Sequence, residues 1–71
     1  MDHLDDIGER VAAARDHAIA AIERSAQLAD RHADRADAKG DHARAEHERA
    51  NAKRAREIVA EMRRDSARDS D

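Results

Sequence analysis

The five histidines are the side chains of this sequence best suited to binding a transition metal or to titrating near neutral pH. If the chain reverses near residue 40, His32 and His47 approach each other beside several carboxylates, as in metal sites built on facing helices. However, no Glu-x-x-His pair is present, and His42 and His47 are five residues apart, on different helix faces. We therefore expect solvated histidines and no metal or other cofactor, with His32 and His47 as the only metal candidates. The set is His3, His17, His32, His42 and His47.

A second cluster of potential chemistry is the basic stretch at 49–64. Arg49, Lys53 and Arg56 share one helical face there and are candidate contacts for phosphate or for an acidic partner. No aromatic side chain is present to stack on a base. The acidic amino-terminal half of the chain also lies opposite this stretch, so we expect an internally balanced, solvated face and regard nucleic-acid binding as the alternative.

Nucleophilic catalysis has little support in the sequence. Cysteine and tyrosine are absent, and neither Ser25 nor Ser66 has an evident base or oxyanion donor nearby. Without cysteine, disulfides and thiolate metal sites are excluded, and the redox compartment cannot be read. We expect that the protein is not an enzyme and has no catalytic residues.

The apolar content is too small for an ordinary globular core. Of 71 residues, 18 are alanine, 14 are basic and 17 acidic, and the net charge is −3. Burying the ten larger apolar side chains returns about 15–30 kcal/mol, against about 1.5 kcal/mol of ordering entropy per residue. A monomer is therefore marginal, and we expect self-association or binding to a larger protein. The ten are Met1, Leu4, Ile7, Val11, Ile19, Ile22, Leu28, Ile58, Val59 and Met62.

Composition also bears on order and location. Leucine, isoleucine and valine are scarce enough to be typical of disordered chains. The two signs of charge are nevertheless interspersed, and Ala, Arg and Glu favour helix, so we expect ordered helices, the alternative being helices that form only on a partner. No apolar run approaches 18 residues, and the acidic start lacks signal-peptide features, so we expect no membrane partner and a cytoplasmic location. The excess of Arg over Lys suggests a bacterial or phage coding genome.

The amino-terminal half shows the three-four spacing of a helix packed along one stripe. Several carboxylates stand at its start, where the helix dipole favours them, and nothing stops this helix before residue 38. The sequence therefore predicts helix 1 at about 3–38. Its stripe is Leu4, Ile7, Val11, Ala14, Ala18, Ala21, Ser25 and Leu28.

A turn is predicted at 39–41. Lys39 at a helix end, Gly40 in the left-handed conformation and Asp41 as an N-cap form a stop-and-restart signal. The stripe also changes phase at this point. We therefore predict helix 2 at about 41–64, followed by a polar, frayed tail at 65–71. The stripe of helix 2 is Ala45, Ala52, Ala55, Val59 and Met62.

These elements predict an all-α, alanine-rich, antiparallel two-helix hairpin with coiled-coil-like packing. A reversal at Gly40 pairs residues equally far before and after it, so that Leu28 meets Ala52, and Ile22 meets Ile58. Large side chains then lie opposite small ones along both stripes. The predicted hairpin seam is Ala18, Ala21, Ile22, Ser25, Leu28, Ala52, Ala55, Ile58, Val59 and Met62.

The first turns of helix 1 then project beyond helix 2 without intramolecular cover, and large aliphatic side chains there indicate a docking site. A second line of small residues is expected to widen it: Ala12, Ile19, Ala26 and Ala33. The predicted interface is Leu4, Ile7, Val11, Ala14 and Ile19. We therefore expect a protein–protein interaction module, such as a small adaptor, inhibitor or assembly factor, which forms a four-helix homodimer or docks on a larger protein.

Overall fold

The computed structural model describes the backbone of residues 2–69 and the side chains of residues 7–68. This part of the chain forms two α-helices, α1 (Asp2–Ala38) and α2 (His42–Asp69), which pack against each other in an elongated body of 60 × 18 × 9 Å. The predicted all-α helical hairpin is therefore confirmed.

The reversal between α1 and α2 lies at Gly40, where φ is +81°. The amide of Gly40 donates to the carbonyl of Asp37 (2.9 Å), and the amide of Asp41 donates to the carbonyl of Ala36 (2.8 Å). These two bonds form a Schellman motif, which satisfies the last carbonyls of α1. Asp41 Oδ1 then accepts a hydrogen bond from the backbone amide of Arg44 (3.2 Å) and caps α2. The three-residue signal in the sequence thus corresponds to a tight, hydrogen-bonded turn.

Helix α2 is longer than the sequence predicts. The tail expected to fray from residue 65 continues as helix to Asp69, while residues 70–71 lie outside the described part of the chain. No glycine or proline interrupts the segment, and Arg68 in the last turn complements the helix dipole. Arg15 Nη1 also donates to Ser66 Oγ at 2.7 Å, so α2 covers α1 as far as residue 15.

The hairpin is closed by a seam of small side chains. On α1 and on α2 the buried positions recur mainly every seven residues, the period that keeps one helix edge against its neighbour. Alanine fills most of these positions, which lets two helices approach closely. The buried residues are Ile19, Ala26, Ala33 and Ala36 of α1 and Ala45, Ala52 and Val59 of α2.

On α2 the structure places Ala52 and Val59 in the seam and leaves Ala55 and Met62 half-buried at its edge. Ile58, predicted to face Ile22, is instead exposed. Among the predicted seam residues of α2, Ile58 is therefore the one that the structure places outside the seam.

On α1 the predicted seam is wrong by about one residue of rotation, or roughly 100°. Leu28 is 50 % exposed, whereas Ala26 is 2 % exposed. Ala21 and Ser25 are also exposed, while Ala18 and Ile22 are half-buried. The second line of small residues, expected to widen an external interface, supplies the seam instead.

A physical reason for this rotation lies in residue size and charge. Turning α1 toward its smaller side chains permits a closer helix approach and recovers dispersion contacts along the seam. The same rotation brings Glu23 and Asp30 of α1 toward Arg63 and Arg56 of α2. The larger aliphatic stripe is displaced to the side of the hairpin as a result.

The placement of α1 predicts opposite outcomes for two nearby substitutions. Ala26→Asp would bury a charge in the seam and should lower the free energy of unfolding by about 3 kcal/mol or more. Leu28→Asp changes an exposed position and should leave a folded hairpin, with a change below about 1 kcal/mol. Urea unfolding followed by circular dichroism measures both; greater destabilisation by Leu28→Asp would contradict this seam.

The turn predicts a contrast between the two glycines. A Cβ at Gly40 or at Gly8 meets no atom within 4 Å, so any difference between them comes from the backbone. Gly40→Ala should lower the free energy of unfolding by about 1–2 kcal/mol because its φ is positive. Gly8→Ala, inside α1, should raise helix stability by about 0.5–1 kcal/mol. Thermal melts of both variants check this, and equal shifts would contradict the left-handed turn.

Candidate docking surface

One flank of the seam carries a ladder of ion pairs between the helices. Arg49 Nη2 donates to Asp37 Oδ2 at 2.6 Å and lies 3.4 Å from Asp34 Oδ1. Arg56 pairs with Asp30, and Arg63 Nη2 donates to Glu23 Oε1 at 2.5 Å. The acids and arginines each recur every seven residues and run in opposite directions, so the ladder fixes the antiparallel register. Because these pairs are exposed, salt screens them, and they contribute more to orientation than to stability.

Two carboxylates of the ladder are stabilised in their charged form. His42 Nδ1 lies 2.8 Å from Asp37 Oδ1, and this contact, together with the hydrogen bond from Arg49, lowers the pKa of Asp37 from its ordinary 3.8. The hydrogen bond from Arg56 lowers the pKa of Asp30 in the same way. The turn end of the hairpin therefore holds anions that resist protonation.

The other flank carries what we call the aliphatic face. Among the described residues it contains the large apolar side chains that the hairpin leaves exposed, namely Ile7 (57 %), Val11 (55 %) and Leu28 (50 %) of α1 and Ile58 (45 %) of α2. The three on α1 follow one three-four line, with small residues between them. Those small residues are Ala14, Ala18, Ala21 and Ser25.

A shallow groove joins the two helices on this flank. It lies between Leu28 and Ser25 of α1 and Asn51 and Ala55 of α2. Ile58 is one turn beyond Ala55 and continues the same edge. The groove is therefore lined by apolar and small polar groups from both helices, together with His32 and the carboxylate of Glu48, and it is open to solvent.

The predicted docking residues are only partly where the sequence puts them. Ile7, Val11 and Ala14 are exposed, whereas the side chain of Leu4 lies outside the described residues. Ile19, also predicted to face a partner, is 8 % exposed and belongs to the hairpin seam. Sequence reasoning therefore placed Ile19 wrongly, because it assigned the seam to the larger stripe.

The candidates for ionic or metal chemistry are dispersed or already paired. Arg49 and Arg56 contact carboxylates of α1, and Lys53 is exposed. His32 and His47 are both exposed. Among the described residues, no group of three or more His, Cys, Asp or Glu side chains is arranged to hold a metal ion.

Sequence reasoning missed two parts of this surface. It predicted a general charge balance between the halves of the chain but not the individual pairs of the ladder. It also assigned Leu28 and Ile58 to the seam and so did not include them in a docking surface. The signal that could have found both is the seven-residue spacing of Glu23, Asp30 and Asp37, repeated in the arginines of α2.

Comparison of this chain with protein-family models, with curated proteins and with solved structures finds no match. Within the described residues, neither helix contains an apolar segment long enough to cross a bilayer.

The ladder predicts loss of stability in acid. Asp30 and Asp37 have lower pKa values in the folded hairpin, so their contribution is present above the unfolded pKa and is lost as pH falls through the folded one. The free energy of unfolding should therefore fall as the pH is lowered below about 5. Arg56→Gln should weaken this dependence, whereas Arg54→Gln, the same change outside the ladder, should not. Urea unfolding at several pH values measures it, and identical profiles for the two variants would contradict the assignment.

Proposed function

We propose that this chain is a non-enzymatic protein–protein interaction module that binds through the aliphatic face. The observation that carries the proposal is an inverted distribution of side-chain size. The hairpin buries alanines in its seam, while Ile7, Val11, Leu28 and Ile58 are each about half exposed or more. Large aliphatic groups are scarce in this chain, so leaving four of them in water on one flank indicates a surface that is covered in the working state.

The energetics support the same proposal. Burial of a leucine, isoleucine or valine side chain contributes about 1.5–3 kcal/mol. The alanine seam returns much less per residue, since each alanine has only one methyl group to bury. A partner that buries the aliphatic face would therefore raise the free energy of unfolding of a marginally stable hairpin by several kcal/mol. Binding and folding would then be linked.

The proposed mode of binding is a helix or helix pair laid against the groove between α1 and α2, with coiled-coil-like packing. Two kinds of protein fit this description: a second copy of the chain, which gives a four-helix homodimer, and a larger protein on which the hairpin acts as adaptor, inhibitor or assembly factor. The observations favour a protein partner over phosphate groups, because Arg49 and Arg56 already have carboxylate partners.

Site-specific photo-crosslinking in cells of the source organism tests the proposal. A photo-reactive amino acid in place of Val11 should form adducts with a defined protein. The same group in place of Ala60, which is exposed on the far side of α2 from Ile58, should not. Leu28→Asp should lower the Val11 adduct yield about tenfold, because a charge then occupies the aliphatic face.

The control for this experiment is Ala60→Asp, which adds the same charge away from the face and should leave the adduct yield unchanged. Circular dichroism confirms that both variants remain helical. Equal labelling from the two positions, or a yield insensitive to Leu28→Asp, would contradict the proposal. Sedimentation of the purified chain shows whether the chain self-associates, as it must if the adduct is a second copy.

A further inference from the structure

The arginines of the ladder and a second group of cations lie on opposite flanks of the hairpin. The ladder pairs three arginines of α2 with carboxylates of α1. Six of the other arginines and lysines, which have no ion pair among the described residues, surround the turn-proximal half of the aliphatic face. We call them the cationic rim: Arg24, Arg31, Arg35, Lys39, Arg44 and Arg54.

The rim lies next to Leu28 and Ile58. Arg24 and Arg31 stand four residues before and three residues after Leu28, so both are its neighbours on the surface of α1. Arg54 stands four residues before Ile58 and is its neighbour on α2. The groove between the helices is therefore bordered by cations on both outer edges.

The groove leads into a depression of about 290 Å³ at the turn. His32 lines both the groove and the depression, where Arg35, Lys39 and Arg44 also converge. The one carboxylate lining this depression is that of Asp41, which already caps α2. This end of the face thus presents several unpaired cations around an open, water-accessible basin.

Carboxylates are fewer on this part of the surface. Glu48 lines the groove, and Glu61 lies one turn after Ile58. The cations outnumber them, although the whole chain has a net charge of −3. The charged side chains around this part of the face are therefore mainly positive, in contrast to the net charge of the chain, which favours an anionic partner.

We propose that the groove binds an acidic amphipathic helix of a partner protein. Its apolar ridge packs on Leu28 and Ile58, and glutamates or aspartates on both sides of that ridge pair with the cationic rim. This inference rests on the proposed function and adds the chemistry of the partner. When two copies pack Leu28 against Leu28, their rims meet cation against cation, so charge complementarity favours a different protein. An anionic bilayer fits less well, since the face has no aromatic anchor and is a groove between two helices.

Fluorescence anisotropy with two synthetic peptides tests the inference on the full chain. The first probe is a labelled three-heptad helix with leucine at its ridge and glutamate at the flanking positions; the second has lysine at every glutamate. The glutamate peptide should bind about tenfold more tightly than the lysine peptide, and added salt should reduce the difference.

Charge-reversal variants locate the effect. Arg31→Glu should weaken binding of the glutamate peptide about fivefold, and combining it with Arg54→Glu should reverse the preference between the peptides. Lys53→Glu makes the same change in net charge on an exposed position outside the rim and should leave both affinities unchanged. Circular dichroism of each variant shows that the hairpin is intact.

Three results would overturn the inference. Equal binding of both peptides, abolished by Leu28→Asp, would mean that the face binds without charge selection; the proposed function would then stand. Failure of both peptides to bind would remove the acidic-helix partner, and crosslinking from Val11 would decide the proposed function independently. Finally, a purified dimer, or binding to phosphatidylglycerol vesicles, that is weakened by Arg31→Glu would assign the rim to self-association or to a lipid surface.

Discussion

The close approach of two helices through alanine constrains the rest of this structure. With Ala26, Ala33, Ala45 and Ala52 at its centre, the seam has little room for larger side chains. Ile19 packs at the end of this seam, whereas Ile7, Leu28 and Ile58 are exposed on one side of it. The alanine seam and the exposed aliphatic face therefore have the same cause, which is the placement of small residues where the two helices meet.

Charge then gives the two sides of the seam different roles. On one side, carboxylates of α1 meet arginines of α2 in a regular ladder, which favours a single antiparallel register over slipped ones. On the other side the described residues form no such ladder, and unpaired cations border the exposed aliphatic groups. A chain with nearly balanced charge is thereby divided into an internally neutralised flank and a flank whose charges are available to another molecule.

The turn could be predicted from the sequence because its signals are local: Gly40 needs only its own backbone conformation, and Asp41 caps the helix that directly follows it. The rotation of α1 could not be predicted in this way, because this helix carries two lines of apolar residues that are one residue apart. The line with the larger side chains, which includes Leu28, was chosen as the seam, whereas the structure buries the line that includes Ala26. The ladder that distinguishes them depends on residues from both helices. The sequence therefore anticipated the exposure of Val11 but placed Leu28 in the seam.

The single tight reversal at Gly40 also determines how the hairpin can open. Contacts next to the turn close short loops, whereas the bond between Arg15 and Ser66 joins residues 51 apart in sequence. We therefore expect contacts near the turn to form first during folding. In the native state, the contacts around Arg15 and Ser66 should open more often than those near the turn. Amide hydrogen exchange should therefore slow progressively toward Ala36 and Ala45, and the free ends can separate while the turn remains assembled.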